Sequence, residues 1–241
     1  MLRKTCFSAG FFLAAMVQAE SPKTLKACTV SWPPFVVMEG NVVGGSDTTI
    51  LRNLVKKMGF ADVEVEEVPW KRCLKLAEEG QVDIVYPASK KPDREVYLHY
   101  PKVALHPVSY VFVTKKDAPQ SWTTDKNVSS LPQPIGIPLG YSIAEKLRLE
   151  PATKFDENAK DDLVNMQKLL LGRVGTIIIE KMNAKALIES LKASDKLVIL
   201  DQPYHKDKEY YVTISKKSPV FDALVEKMDK ELPALVPKHA D

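Results

Sequence analysis

Residues 67–89 read EVPWKRCLKLAEEGQVDIVYPAS, and this stretch contains the pattern that decides the fold. Pro69 follows an extended apolar segment and is favoured in the first turn of a helix, because its ring holds φ near the helical value. Gly80 is typical of a helix end, and the apolar run Val82 to Tyr86 predicts a buried strand. A strand, a helix and a second strand in this order indicate two parallel strands joined by a crossover helix.

The same alternation extends toward the N-terminus. Leu25 to Ser31 predicts a first strand, and Val63 to Val68 predicts a second one. Ser46 and Asp47 are residue types that commonly cap the N-terminus of a helix. Apolar residues then recur at helical spacing, at positions 50, 51, 54, 55 and 58. This half of the chain therefore predicts a parallel α/β sheet.

A second unit with the same rhythm follows a stretch rich in Pro, Ser and Thr at 119–134. Gly140-Tyr141-Ser142 leads into one predicted helix, and Asp161-Asp162 is expected to cap another. Three further strands are predicted in this unit, at 135–138, 174–179 and 196–200. The chain thus contains two similar α/β units in succession.

Two β-rich runs, Val108 to Thr114 and Tyr210 to Ser215, leave the first unit and return from the second. We therefore predict an α/β fold with two lobes, each a mainly parallel sheet flanked by helices, joined by two crossover strands. The predicted first lobe comprises residues 20–113 and 211–241, and the predicted second lobe comprises residues 114–210. Two lobes joined by a hinge enclose a cleft that can open and close.

The first 19 residues predict an export signal that is not part of the fold. Arg3 and Lys4 form a short basic segment, and the apolar stretch Phe7 to Val17 is too short to cross a bilayer. Small residues up to Ala19 are typical of a signal-peptidase site. We expect a signal peptide cleaved after Ala19 and a soluble mature chain in the periplasm. An N-terminal anchor or an ordinary core helix is the alternative.

Two cysteines, Cys28 and Cys73, follow the predicted cleavage site. An oxidising compartment such as the periplasm permits a disulfide between them. Cys28 lies in the first predicted strand and Cys73 in the early turns of a helix, and the sequence does not supply the separation of their Cα atoms. A bonded pair and two buried thiols therefore both stay open.

Charge and motif content argue against several classes of function. The formal net charge is +3, and without Arg3 and Lys4 the basic and acidic side chains almost balance, which is not the strongly basic surface of a nucleic-acid-binding protein. No Cys-x-x-Cys or Gly-x-Ser-x-Gly motif occurs. The histidines lack metal-ligand spacing with each other or with the cysteines; they are His99, His106, His205 and His239. We expect no catalytic residue, no metal and no cofactor.

An ordered set of short motifs resembles the extracellular solute-binding proteins of the polar amino-acid uptake type, bacterial solute-binding protein family 3. The motifs are WPPF at 32–35, the stretch 67–89 quoted above, Arg94, YP at 100–101, IGIPLGYS at 135–142, LLLGRVGTIIIE at 169–180 and YYVTISKKSP at 210–219. The resemblance covers nearly all of the chain after residue 19. It implies a periplasmic two-lobed α/β protein that closes on a small solute and presents it to a membrane transporter.

The resemblance also implies residue roles. Arg94 lies in the loop at the carboxyl end of a strand, where ligands of open α/β sheets bind, and matches the arginine that holds the α-carboxylate of an amino acid. Tyr141 and Ser142 lie in a turn whose N–H groups favour an anion, although Ser142 could also be a simple helix cap. Glu180 matches the acidic partner of the ligand ammonium, and a helix-start Glu that complements the dipole is the alternative.

Aromatic residues are expected on the wall of the cleft. Trp32, Phe35 and Trp70 are the first candidates, because aromatic rings cover apolar surface and attract cations over their faces. Tyr86 and Ser89, at the end of the strand before Arg94, complete the predicted site. Each aromatic residue could instead be an ordinary core residue.

The sequence predicts a monomeric binding protein for an amino acid that delivers its solute to the permease of an ABC-type transporter. Two alternatives stay open. One is a sensing protein whose closed form docks on a signalling receptor. The other is a dehydratase-like enzyme on the same fold, in which Glu180 would be the general acid.

Overall fold

A computed structural model describes residues 23–118, 127–200 and 202–237. The predicted signal peptide at residues 1–19 and His239 lie outside these ranges. In the described ranges, no helix combines the length and the apolar composition that a membrane span requires.

The first lobe is the set of elements from β1 to β6 together with α7. It contains a three-stranded parallel core, a small hairpin and four helices. In chain order its elements are β1 (Leu25–Thr29), β2 (Val37–Glu39), β3 (Val42–Gly44), α1 (Ser46–Lys57), β4 (Val63–Glu67), α2 (Trp70–Glu79), β5 (Ile84–Ser89), α3 (Pro92–Glu95) and β6 (Leu98–His99), with α7 (Phe221–Glu231) returning from the end of the chain.

The second lobe is the set of elements from β8 to β11, and two long strands connect it to the first. The connecting strands are β7 (His106–Lys115) and β12 (His205–Ser215). Between them come β8 (Ile135–Pro138), α4 (Ile143–Leu147), β9 (Phe155–Ala159), α5 (Asp162–Leu170), β10 (Thr176–Glu180), α6 (Lys181–Ser190) and β11 (Leu197–Ile199).

One continuous path of paired strands runs through both lobes in the order β4-β1-β5-β12-β7-β10-β8-β9. The pairs β4–β1–β5 and β10–β8–β9 are parallel, whereas β12 and β7 run antiparallel to their neighbours. Helices pack on these sheets and close an apolar core in each lobe. The predicted α/β class with two lobes and two crossover strands is confirmed.

The crossover strands β7 and β12 pair with each other along the hinge. Their register runs from Tyr210 opposite His106 to His205 opposite Tyr110, with an irregularity between His205 and Lys208. The predicted lobe boundaries, 113/114 and 210/211, fall inside these two strands. The boundaries themselves stay a prediction.

A disulfide joins Cys28 of β1 to Cys73 of α2, with their Cα atoms 5.6 Å apart. Both residues are fully buried in an apolar cluster that also contains Trp70 and Val85. The bond therefore holds α2 against the sheet of the first lobe.

Local signals account for most element boundaries. Gly80 ends α2 in the left-handed conformation, and Asp161 caps α5 by accepting a hydrogen bond from the Val164 amide. The expected Ser46–Asp47 cap is wrong. Gly45 precedes α1 with a φ of 96°, and an added Cβ there would lie 2.4 Å from the Phe35 carbonyl oxygen. Only glycine therefore permits this close approach.

Candidate functional site

The floor of the cleft between the lobes consists of side chains on neighbouring strands. Tyr210 of β12 lies opposite Ser89 of β5 on one side and opposite His106 of β7 on the other. Tyr110 of β7 lies opposite Glu180 of β10. Directly opposite residues project to the same face of a sheet. The pairs therefore form two rows of polar or aromatic side chains across the hinge, one through Tyr210 and one through Tyr110.

Arg94 is the principal charged group of the cleft. It lies in α3, immediately after β5, and is only 2% exposed. Its Nη1 donates to both the carbonyl oxygen and the hydroxyl of Ser89, each at 3.1 Å. Its Nη2 donates to the carbonyl oxygen of Gly140 in the second lobe at 2.9 Å. The guanidinium carbon lies 5.4 Å from the centre of the Trp70 ring, which places a cation over an aromatic face.

Two further polar contacts cross the cleft next to Arg94. The hydroxyls of Ser89 and Ser142 form a hydrogen bond of 2.7 Å. Lys91 forms an ion pair with Glu145 of α4. Together with the bond from Arg94 to Gly140, these contacts hold the two lobes in a closed arrangement.

A cavity lies beside Arg94 at the junction of the lobes. Its volume is about 20 Å³, which is room for a single water molecule and not for an amino acid. Six of the predicted site residues line it: Trp32, Trp70, Ser89, Arg94, Tyr141 and Ser142. Val30, Pro87, Tyr110 and Tyr210 complete the lining. We call this space the first cavity.

The aromatic wall continues from the first cavity along the cleft. Trp32 lies with its ring centre 4.7 Å from that of Tyr210 and 4.9 Å from that of Phe35. Phe35 in turn stacks on His106 at 4.3 Å. The indole Nε1 of Trp32 is buried and has no hydrogen-bond partner in the part of the chain that the structure describes. A donor without an acceptor on the wall of a cavity is costly unless a bound solute supplies one.

A second cavity of about 290 Å³ lies farther along the cleft, beyond His106. Its lining includes Phe35 and His106 from the first lobe side and Glu180 and Lys181 from the second. The Nε2 of His106 lies 3.0 Å from each carboxylate oxygen of Asp47, which is fully buried in α1. The structure thus places predicted residues Phe35 and Glu180 at this cavity and not beside Arg94.

Glu180 has a structural role that the sequence left open. It caps α6 by accepting a hydrogen bond of 2.7 Å from the Asn183 amide. Burial raises the pKa of its carboxyl group, while the helix amides and His106 oppose that rise. Glu180 is therefore a helix cap and also a buried acid on the wall of the second cavity.

A buried cluster of hydroxyl and carboxyl groups adjoins the first cavity. The phenol groups of Tyr110 and Tyr210 form a very short hydrogen bond with each other. The Tyr141 hydroxyl donates to Oδ2 of Asp162 at 3.2 Å, and the side-chain amide of Asn183 donates to the same oxygen at 2.8 Å. Burial raises the pKa of Asp162 to about 8, and nearby Asp161 and Glu180 contribute to the rise. This cluster favours a protonated carboxyl at neutral pH.

Tyr86 does not belong to the cleft. It is fully buried in the core of the first lobe, where its hydroxyl hydrogen-bonds Thr48 at 2.9 Å, and it lines neither cavity. Pro87 and Ser89 of the same strand line the first cavity, whereas the Tyr86 ring packs in the apolar core.

Sequence reasoning missed three members of the site: Tyr110, Tyr210 and Asp162. The two tyrosines stand in runs that were interpreted only as crossover strands, and Asp162 only as part of a helix cap. Alternation within the strands is the signal that could have found the two tyrosines. His106, Val108 and Tyr110 share one face of β7, and the same period places Lys208 with Tyr210 on β12.

With this geometry described, known proteins can be compared. The sequence matches the profile of the bacterial extracellular solute-binding proteins, family 3, over residues 25–238. The chain belongs to this family. Its members are solute-binding proteins. In the described residues, no group of three or more His, Cys, Asp or Glu side chains is arranged to hold a metal ion.

Individual relatives agree with the family assignment. The chain is similar to the arginine-binding extracellular protein ArtP of Bacillus subtilis (strain 168), with 26% identity over 184 residues that cover 74% of this chain and 69% of the relative. An ancestral arginine-binding protein bound to arginine superposes with a TM-score of 0.75 at 19% identity, covering 88% of this chain and 91% of that one. The substrate-binding protein of an amino acid ABC transporter superposes with a TM-score of 0.72 at 22% identity, covering 88% and 92%.

Proposed function

We propose that this protein binds an amino acid in the cleft between its lobes and delivers it to the permease of an ABC-type transporter. The observation that carries the proposal is the position of Arg94. A buried guanidinium lies at the junction of the lobes, over the face of Trp70, and reaches across to the backbone of the other lobe. Arg94 is assigned to the α-carboxylate of the solute.

The contact between Arg94 and Gly140 suggests how a carboxylate would bind. A guanidinium carries five N–H donors in a planar fork that matches the two oxygens of a carboxylate. One Nη of Arg94 is anchored on Ser89, and the other donates to a single carbonyl oxygen across the cleft. A solute carboxylate would replace that neutral acceptor with a charged one. The hydroxyl of Ser142 and the unpartnered indole N–H of Trp32 stand on the same cavity wall and would add donors.

Glu180 is assigned to the ammonium group of the amino acid. It is 2% exposed on the wall of the second cavity, opposite the stacked rings of Phe35 and His106. A buried carboxylate without a cation is costly, and an ammonium supplies the missing charge. The solute would thus lie along Trp32 between Arg94 and Glu180, displacing the hydroxyls of Tyr110 and Tyr210 from their present contact.

Binding by this route requires the cleft to open first. The first cavity is too small for an amino acid while Ser89 and Ser142 are hydrogen-bonded. A solute can drive reclosure only to the extent that it binds the closed form more tightly than the open form. Charges on both lobes supply that difference, because a zwitterion pairs with Arg94 and Glu180 together only when the lobes meet.

Location and partners follow from the family. An extracellular solute-binding protein is consistent with export of the mature chain to the periplasm, where we place it as a monomer. The permease partner is inferred from the transporter to which the family delivers solutes.

A thermal-shift screen of the mature protein against the common amino acids tests the proposal. A solute at about one hundred times its dissociation constant should stabilise the native state by about 2.7 kcal/mol. We expect at least one amino acid to raise the melting temperature and the corresponding α-ketoacid and decarboxylated amine to raise it much less. No shift with any amino acid, or an equal shift with the amine, would refute the proposal.

A further inference from the structure

We propose that the bound amino acid carries a second anionic group and that Lys208 binds that group. This inference rests on the proposed function and narrows it to acidic amino acids. The observation that carries the inference is Lys208 itself. This half-buried cation on β12 has no ion pair among the described residues, and it interacts electrostatically with cations of both lobes.

Lys208 shares a strand face with a residue of the first cavity. It stands two residues before Tyr210 on β12, and side chains two apart in a strand project to the same side. Its direct partner on β7 is Val108, which lines the second cavity. Lys208 itself lines neither cavity; it is half-buried and lies on the same strand face as Tyr210, directly opposite Val108.

The groups that interact with Lys208 electrostatically are mostly positive. Arg94 and Lys91 of the first lobe and Lys146 of the second lower the pKa of Lys208 by charge repulsion, and Glu145 alone among these groups raises it. Glu145 is already paired with Lys91. Within residues 23–118, 127–200 and 202–237, the ammonium of Lys208 has no hydrogen bond and no ion pair.

A half-buried lysine among three other cations is an unfavourable arrangement without an anion. Burial, followed by repulsion from Arg94, lowers the pKa of Lys208. A carboxylate bound there would compensate for the hydration that the ammonium has lost and would neutralise part of the local positive charge. If the solute were arginine or lysine, its cationic side chain at this position would be repelled by Lys208. The expected solute therefore differs from the arginine bound by the ancestral arginine-binding protein.

Titration calorimetry of the mature protein tests this inference with matched pairs of solutes. The probes are L-glutamate against L-glutamine and L-aspartate against L-asparagine, which differ in charge but hardly in size, with L-arginine as the opposite charge. We expect an acid to bind about tenfold or more tightly than its amide, a difference of about 1.4 kcal/mol, and arginine to bind weakest. Tighter binding of the amide or of arginine would overturn the inference.

Two variants locate the effect. K208M should weaken binding of the acid by about tenfold and leave binding of the amide within about twofold. K206M is the matched control, because Lys206 is an exposed lysine on the same strand, and it should change neither. Equal losses of affinity for the acid and the amide in K208M would assign Lys208 to the α-carboxylate. That result would refute this inference and leave the proposed function in place. Binding of no amino acid by wild type would refute the proposed function as well.

Discussion

Arg94 of the first lobe donates a hydrogen bond of 2.9 Å to the carbonyl oxygen of Gly140 in the second lobe. This bond lies at the position where the proposed solute must bind, and it is accompanied by the bond between the Ser89 and Ser142 hydroxyls. The residues assigned to the solute thus also hold the two lobes together. Binding therefore exchanges contacts between the lobes for contacts with the solute.

Replacement of Arg94 separates these two roles. R94A should remove the stabilisation by the solute and also lower the free energy of unfolding of the unliganded protein by about 3 kcal/mol, since buried acceptors at Ser89 and Gly140 lose a charged donor. R94K keeps the charge without the planar fork and should still lose most of the affinity. Thermal melts with and without solute provide both quantities. R148K is the control, because Arg148 forms an exposed ion pair with Glu157. A solute-induced rise in the melting temperature of R94K equal to that of wild type would contradict the carboxylate assignment.

Removal of the Ser142 hydroxyl should shift the unliganded protein toward the open form. The lost hydrogen bond to Ser89 is worth about 1 kcal/mol, so the ratio of open to closed molecules should rise about fivefold in S142A. Electron paramagnetic resonance would measure this ratio from the distance between two spin labels. The labels would replace Lys57 and Leu171, which are exposed and lie on different lobes. S190A removes a hydroxyl that bonds only within α6 and serves as the control. Identical distance distributions in the two variants would show that the hydroxyl pair does not hold the lobes.

The disulfide should contribute strongly to the stability of the first lobe. Cys28 and Cys73 close a loop with a sequence separation of 45, for which the chain-entropy estimate is about 4 kcal/mol. The double variant C28A/C73A should therefore unfold at a lower urea concentration than the oxidised wild type. Reduced wild type should match the variant more closely than the oxidised protein does. Alkylation of both thiols in the unreduced, unfolded wild type would show that the bond does not form.

Asp162 should make stability fall as pH rises. Burial raises its pKa to about 8, whereas an unfolded aspartate titrates near 3.9. Between these values the native state holds a proton that the unfolded state has released, so this contribution to stability is complete below about pH 4 and is lost toward about pH 8. The slope is at most about 1.4 kcal/mol per pH unit.

Urea unfolding from pH 5 to pH 8 would test the Asp162 prediction. D162N stays neutral and its amide oxygen can still accept from Tyr141 and Asn183, so it should gain stability relative to wild type as pH rises. D195N, at an exposed carboxylate, should follow the wild-type pH dependence. Parallel curves for D162N and wild type would mean that Asp162 titrates normally in the native state.

Sequence patterns predicted the parallel units well, because their signals are local. Pro69 and Gly80 bracket α2, and the predicted strand at 135–138 coincides with β8. The strand β9 was missed because Phe155–Ala159 is polar and mostly half-buried at the edge of the sheet, without the apolar run of a central strand. The β2–β3 hairpin was missed for a similar reason, since its three-residue strands are too short to show a period.

Prediction of the site depended on long-range pairing. The resemblance placed Ser89, Arg94 and Ser142 in the site, and the structure brings them together around the first cavity. The sequence did not predict that Glu180 lines the second cavity and not the first one, where Tyr110 and Tyr210 meet. Their meeting depends on the register of β7 against β12, which no local pattern contains.

The crossover strands β7 and β12 are hydrogen-bonded neighbours over the hinge, and their ladder is irregular between His205 and Lys208. A two-stranded ribbon bends out of its plane more readily than it shears within it, because shear would break the ladder. The swing of one lobe against the other should therefore follow a single arc. Tyr110 and Tyr210 lie on separate strands of that ribbon, so the distance between their hydroxyls should change along that arc.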